Sequence, residues 1–237
     1  MRRREFVKCI SGVLAAWPLG ARAQQSERIR RIGVLINRSA QDPEGQPQLA
    51  AFRQVLQQFG WTEGRNVRID YRWGGADIAD TNKYAAELVA LAPDVILAAG
   101  SPSVAALQRV TRTLPIVFVR VADPVGGGFV DTLAQPGGNV TGFMQFEYSF
   151  SGKWLELLKQ IAPQVTRAAV LRNPDNRAGT GEFGAIQSMA QSLGVELRPV
   201  DTRDAGEIER AVAAFARSPN SGLIVTPSAT TGGNRDL

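Results

Sequence analysis

Short apolar runs alternate with longer amphipathic segments over most of the chain. The short runs, such as Ile32–Ile36, have the continuous hydrophobicity of strands that are buried on both faces. The longer segments repeat apolar residues at intervals of three or four, which is the period of a helix with one buried face. Strands that alternate with helices in this way predict an α/β fold with parallel sheets.

The first series of elements extends to about residue 143. Strands are predicted at Ile32–Ile36, Val67–Tyr71, Val95–Ala98 and Ile116–Val119. Helices are predicted over Leu49–Phe59, Asn82–Leu91 and Ser103–Val110, with a further short helix over Phe129–Leu133. The apolar run Val140–Phe143 follows a Pro-Gly-Gly turn. Short connections between these units require a parallel, doubly wound sheet.

The pattern then restarts. A helix is predicted over Ser151–Ile161, and a second series of strands and helices follows: Ala168–Leu171, Phe183–Leu193, Val195–Val200, Ile208–Ala216 and Leu223–Val225. We therefore predict one α/β lobe at residues 31–145 and a partial second lobe at residues 146–237. The second lobe is expected to be incomplete, because three parallel strands leave poorly covered edges.

The first residues have the composition of an export signal. An arginine pair precedes Phe6-Val7-Lys8, and a short apolar stretch is followed by small residues that suit a signal peptidase. This order is typical of a twin-arginine leader. The apolar stretch has about half of the roughly 20 residues that a transmembrane helix needs. We therefore expect a leader at residues 1–23, a polar spacer at residues 24–30, and delivery to the periplasm.

The leader also explains most of the unusual composition. It holds five of the basic residues and the only cysteine, Cys9, while the formal charge of the whole chain is +5. The remaining arginines are interspersed with carboxylates, so a nucleic-acid partner is not expected. Histidine is absent, which removes the commonest general base and metal ligand. We therefore predict neither an enzyme nor a metal site. The triple glycine at 126–128 lacks phosphate-loop spacing, so a cofactor is not predicted either.

The loops after the strands are the places to look for a binding site. Ligands of open α/β sheets lie beyond the carboxyl ends of the strands. Ser101 and Ser103 flank Pro102, which can open a helix whose first amides bind an anion. Asp123 follows the next strand and is suited to pair with an ammonium group. Each has a structural alternative, since serine caps helices and Asp-Pro forms turns.

Four aromatic residues lie on the crossover between the predicted lobes. They either stack on a ligand or fill the hinge, and burial is the more general use of aromatic area. The four are Phe143, Phe146, Tyr148 and Phe150.

Several motifs, taken in this order, resemble the substrate-binding proteins of ABC transporters. They are Ala99–Pro102, Pro115–Phe118, Asp123–Gly126, Pro136–Gly142 and Asn173–Pro174. Within that family the chain resembles the branch that binds tryptophan and other aromatic amino acids. The resemblance covers residues 30 to about 230. It implies a type I periplasmic-binding-protein fold, in which two Rossmann-like lobes close on a small solute.

The resemblance also implies a site and a role. The positions that match the family's cleft are Ser101, Ser103, Asp123, Thr141, Asn173 and Thr226. The implied function is capture of an amino acid or related carboxylate by hinge closure, for delivery to the membrane permease of an ABC transporter. The protein is expected to act as a monomer.

Three alternatives remain open at this stage. Family members continue for several dozen residues beyond Thr226–Ser228, so the chain is also interpreted as a truncated, non-functional fragment. An α/β enzyme acting on a small sugar or nucleotide is the second alternative. A ligand-sensing core of a repressor is the third, although the leader and the absence of a helix-turn-helix pattern argue against it.

Overall fold

A computed structural model describes residues 29–233 of the protein. The predicted leader and most of the predicted spacer lie outside these residues. The first lobe contains β1 (Arg30–Ile36), α1 (Gly45–Gln58), β2 (Val67–Trp73), α2 (Ile78–Ala90), β3 (Val95–Ala99), α3 (Ser101–Val110), β4 (Ile116–Val121) and β5 (Val140–Met144). The second lobe contains a 3-10 helix (Tyr148–Ser151), α4 (Gly152–Ile161), β6 (Arg167–Arg172), α5 (Arg177–Ala190), β7 (Glu196–Asp201), α6 (Ala205–Ala216), β8 (Ser221–Val225) and α7 (Ala229–Gly233).

The strands form two separate parallel sheets. The first has the order β2-β1-β3-β4-β5 and the second the order β7-β6-β8. In each sheet the first strand in the sequence lies inside, and the next strands are added on either side of it. The predicted α/β class with parallel sheets in two lobes is therefore confirmed. The side on which strands are added reverses at β1 and at β6, and such switch points open a crevice beyond the strand ends.

Each sheet is covered by helices on both faces. In β1 the side chains of Val34 and Leu35 point to opposite faces and join different clusters of buried residues. In β6 the same holds for Val170 and Leu171. Because both faces are buried, these strands have continuous apolar runs rather than alternating ones. No helix within residues 29–233 has both the length and the apolar character needed to cross a bilayer.

One predicted element is wrong. Residues 129–133 form turns and bends instead of a short helix. The amides of Phe129 and Val130 both donate to the carbonyl oxygen of Pro124, and the amide of Asp131 donates to that of Pro136. Phe129 and Val130 are buried in the core of the first lobe. The loop folds back to bury these two side chains, so core packing decides its conformation.

The chain passes from the first sheet to the second lobe after β5. The 3-10 helix packs against α4 and α5, which both belong to the second lobe. The boundary predicted between residues 145 and 146 lies in this passage. Aromatic rings fill it, since Phe146 lies 6.2 Å from Phe150 and 5.8 Å from Trp154 between ring centroids.

Candidate ligand-binding cleft

A cleft between the lobes lies beyond the carboxyl ends of β1, β3, β6 and β8. It contains two cavities of about 290 Å³ and 340 Å³. Both cavities are lined by Asn37 and Pro102 from the first lobe and by Asn176, Ser228 and Ala229 from the second. Small-molecule sites have volumes of about 300–1,000 Å³ and often lie at such switch points. The cleft therefore has the position and size of a small-molecule site.

The start of α3 forms one wall of the first cavity. Gly100 has φ +90°, and a Cβ atom there would lie 2.2 Å from Oδ1 of Asn37, so only glycine fits. No side chain caps α3, and Gly100, Ser101 and Pro102 all line the cavity. Pro102 has no amide hydrogen and the amide of Ser103 donates to the carbonyl oxygen of Gly100, so the helix start offers the amide of Ser101 and a partial positive charge. This wall therefore favours a carboxylate or another anion.

Arg38, which follows β1, is neutralised within its own lobe. Its Nη1 lies 2.9 Å from both carboxylate oxygens of Asp42, and its Nη2 lies 2.9 Å from Oε2 of Glu44. Burial alone would raise the pKa of Asp42, but the amide of Glu44 and the guanidinium of Arg38 outweigh it and lower that pKa. Arg38 therefore holds two carboxylates of the cavity wall in place.

Arg120 also lines the first cavity and has no such partner. It lies at a bulge in β4 with φ +57°, a strained conformation for arginine. Its Nη1 is 3.4 Å from Oε1 of Gln48, and no carboxylate of the described residues lies within 4.0 Å. Burial, followed by repulsion from Arg38, lowers the pKa of Arg120, but arginine stays protonated. The first lobe thus presents to the cleft a guanidinium that has no ion-pair partner within the described residues.

Glu182 of α5 lines the same cavity from the second lobe. Its side chain is 0 % exposed, and neither carboxylate oxygen has a hydrogen-bond partner within residues 29–233. Burial raises the pKa of Glu182 to about 7. A buried carboxylate without a donor is rare in folded proteins and marks a strained or functional site.

Tyr148 of the 3-10 helix lies beside Glu182. Its ring packs against the backbone of Gly181, where a Cβ atom would lie 2.3 Å from the ring. Its hydroxyl is buried and makes no hydrogen bond in the described chain. Burial, followed by the charges of Asp123 and Glu182, raises the pKa of Tyr148 to about 12. The hydroxyl therefore stays neutral and keeps a proton to donate.

Two of the six residues predicted from the sequence line the cleft. Ser101 is 5 % exposed and lies in the wall of the first cavity. Asn173 lies in the wall of the second cavity, where its Oδ1 accepts a hydrogen bond from the amide of Asp175 at 2.9 Å. The structure brings these two residues to the same cleft from opposite lobes.

The other four line neither cavity. The hydroxyls of Ser103 and Thr226 are buried and donate to the carbonyl oxygens of Ala99 and Leu171, at 3.0 and 2.9 Å. Both side chains therefore stabilise strand ends. Thr141 lies within β5, opposite Val117, and away from the carboxyl end of the strand.

Asp123 is held by its own loop and by the start of the 3-10 helix. Its Oδ1 accepts from the amide of Gly126 at 2.7 Å and its Oδ2 from the amide of Tyr148 at 3.2 Å. This is the turn-forming role that an Asp-Pro sequence also allows. The predicted pairing of Asp123 with an ammonium group is untested, and the cavity carboxylate of the second lobe is Glu182 instead.

Sequence reasoning missed Glu182 and Arg120. Glu182 belongs to the buried face of α5, four residues after Ala178 and four before Ile186. A glutamate on an apolar helical stripe was the available signal, but the predicted helix began one residue too late to include it. For Arg120 the sequence holds no signal, because the bulge and its positive φ arise from tertiary packing. Within residues 29–233 no acidic cluster suited to a metal ion is found.

A family model and a curated relative match most of the chain. The model describes the ABC transporter substrate binding protein family and matches residues 41–235. The relative is a tyrosine-binding protein of Clostridioides difficile, 27% identical over 207 residues. The match covers 85% of this chain and 59% of that protein. The chain thus spans less than two thirds of that relative's length.

Solved structures show the same fold. An ABC domain from Streptococcus pneumonia in complex with L-Trp matches with a TM-score of 0.75 and 22% identity, covering 87% of this chain and 68% of that one. A conserved domain protein from Vibrio cholerae matches with a TM-score of 0.72 and 28% identity over the same shares. A solute binding protein from Rhodopseudomonas palustris in complex with 3,4-dihydroxybenzoic acid matches with a TM-score of 0.60 and 15% identity. That match covers 87% of this chain and 57% of the other. With its family match and its two-lobed cleft, the chain belongs to the ABC transporter substrate-binding proteins.

Proposed function

We propose that this protein is the extracytoplasmic solute-binding component of an ABC import system. It captures a small carboxylate-bearing solute, an amino acid or a related acid, and presents it to a membrane permease. The observation that carries the proposal is a cavity walled by both lobes, with an uncapped helix start and an unpaired guanidinium on one side. The matching family is a solute-binding one, which favours this role over the enzyme alternative.

The carboxylate of the solute lies against the first lobe in this proposal. The hydroxyl and the amide of Ser101 supply hydrogen bonds, and Arg120 supplies the charge. A charge-assisted hydrogen bond contributes about 1.5–3 kcal/mol. Arg120 has no carboxylate partner within 4.0 Å in the described residues, so no ion pair has to break before it binds an anion.

Capture works by closure of the lobes. A solute that touches only one lobe leaves the equilibrium between the open and closed states unchanged, whereas one that touches both favours the closed state. Asn37 and Pro102 on one side and Asn176 and Ser228 on the other are placed for such double contact. The permease then receives a closed, loaded form of the protein.

The ligands named for relatives support this solute class. L-Trp and 3,4-dihydroxybenzoic acid each contain a carboxylate and an aromatic ring, and another relative is a tyrosine-binding protein. Export to the periplasm follows from the role and from the predicted leader at residues 1–23. The twin-arginine route, the monomeric state and the lack of a nucleic-acid partner stay predictions.

Titration of the purified chain with carboxylate solutes tests the proposal. Thermal-shift screening of amino acids and aromatic acids, followed by calorimetry, is expected to find a solute that stabilises the fold by about 2.7 kcal/mol at 100 times its Kd. Arg120→Met should weaken that binding about 10- to 100-fold. Arg109→Met, on α3 but paired with Asn82, is the matched control. A screen in which no carboxylate solute raises the melting temperature contradicts the proposal.

A further inference from the structure

Five charged side chains line the first cavity, and three of them form ion pairs with one another. The five are Arg38, Asp42, Glu44, Arg120 and Glu182. Arg38 pairs with both Asp42 and Glu44. Arg120 and Glu182 have no ion-pair partner within 4.0 Å in residues 29–233. Arg120 of the first lobe and Glu182 of the second are therefore the charged groups of this cavity that lack an ion pair within the described residues.

Nothing in the described chain satisfies the Glu182 carboxylate. Both of its oxygens are buried without a donor, although the residue forms part of the cavity wall. Such an arrangement is unfavourable unless a ligand supplies the missing donors. A ligand ammonium group supplies up to three donors and the opposite charge.

The charged groups around Glu182 are engaged elsewhere. Arg177, on the same helix, donates from Nη1 to the carbonyl oxygen of Gly127 across the cleft. Asp123 accepts hydrogen bonds from two backbone amides. Tyr148 packs beside Glu182 and has a hydroxyl without a partner in the described residues, so it is a further neutral donor for a polar ligand. Within the described residues no cation pairs with Glu182, so the position beside its carboxylate is open to a cation of the solute.

We infer that Glu182 is the ammonium-binding residue of the cleft and that the solute is a zwitterion. Its ammonium group donates to Glu182 in the second lobe, and its carboxylate lies at Arg120 and the start of α3 in the first. This inference rests on the proposed function and adds the solute class to it. Only a solute with both charges pairs with a charged side chain in each lobe, so Glu182 determines specificity for amino acids over simple carboxylates.

Pairs of solutes that differ only in the amino group test the inference. The probes are L-tyrosine with 3-(4-hydroxyphenyl)propionate, L-tryptophan with indole-3-propionate, and L-leucine with 4-methylpentanoate, each titrated by calorimetry. The wild-type chain should bind the preferred amino acid at least tenfold more tightly than its partner lacking the amine. Glu182→Gln keeps the shape and removes the charge, so its two affinities should agree within about threefold. Glu196→Gln, an exposed residue of the same lobe, should keep the preference.

The outcomes separate the inference from the proposed function. The inference is overturned if the wild-type chain binds the amino acids no more tightly than the acids without the amine. It is also overturned if Glu182→Gln keeps the preference for amino acids. Either result leaves the proposed function standing. No binding of any amino acid or carboxylate overturns both. Retained binding of the acid by Glu182→Gln shows that the variant is folded, and Glu182→Asp, which restores the charge, should recover part of the preference.

Discussion

Arg177 of the second lobe donates a hydrogen bond from Nη1 to the carbonyl oxygen of Gly127 in the first lobe, at 3.0 Å. Its guanidinium carbon also lies 5.9 Å from the centroid of the Phe129 ring. Arg177 begins α5, the helix that carries Glu182. The contact therefore ties the Glu182 wall of the cleft to the loop after β4, at a point outside the passage that connects the lobes.

Removing this contact should loosen the closed cleft. A hydrogen bond and a cation–π contact at a part-exposed site contribute about 1–2 kcal/mol together. We expect Arg177→Ala to weaken solute binding about tenfold and to increase the radius of gyration in small-angle scattering. The control is Arg167→Ala, whose guanidinium lies at the same 5.9 Å from the Phe215 ring but within one lobe. Equal effects of the two substitutions would argue against an interlobe role.

Gly100→Ala should damage both stability and binding. The φ of +90° at Gly100 and the approach of Asn37 to 2.2 Å together lead us to expect a loss of about 2–4 kcal/mol on unfolding in denaturant. Solute affinity should fall as well, because the start of α3 moves. Gly60 has φ +83° and open space around its Cβ position, so Gly60→Ala isolates the conformational cost of about 1 kcal/mol. Equal losses at the two sites would contradict the steric explanation.

Glu182 should make the free protein less stable as the pH rises. Below pH 4.5 the carboxyl is protonated in both the folded and the unfolded chain and adds no penalty. Between pH 4.5 and about 7 the unfolded chain loses the proton first, so the free energy of unfolding falls, by about 3 kcal/mol once the folded pKa is passed.

The difference between the wild-type chain and Glu182→Gln isolates this effect from other titrating groups. Urea unfolding should show the variant to be more stable above pH 7 and nearly equal to the wild type at pH 4. A difference that does not change between these pH values would mean that the carboxylate is not desolvated in the free protein.

Substitution of Asp123 should affect folding more than recognition. Its carboxylate accepts two backbone hydrogen bonds, so Asp123→Ala is expected to lower the free energy of unfolding by about 1–3 kcal/mol. Asp123→Asn keeps one acceptor oxygen and removes the charge. If that variant loses the preference for amine-bearing solutes while Glu182→Gln keeps it, the original prediction for Asp123 is right and the assignment to Glu182 is wrong.

The elements were predictable because their signals are local. Continuous apolar runs located every strand core, and for α2 and α3 the helical period predicted elements that the structure extends by only a few residues at their starts. The predicted helix at residues 129–133 failed for a non-local reason, because the core of the first lobe takes up Phe129 and Val130. The site was predictable in part, since Ser101 and Asn173 lie directly after strands and need only the rule about strand ends.

The sequence by itself determined the α/β class, the two series of elements and the edge of each sheet at which the cleft lies. Hydrophobic period and turn residues act over a few positions, so a single chain displays them directly. Only the tertiary structure decided which carboxylate of the cavity wall is left without a partner in the described residues. Asp123 and Glu182 are both acidic residues near the cleft, but backbone amides hold the first while helix packing buries the second without a partner. That difference depends on contacts between residues distant in sequence, and no local pattern encodes it.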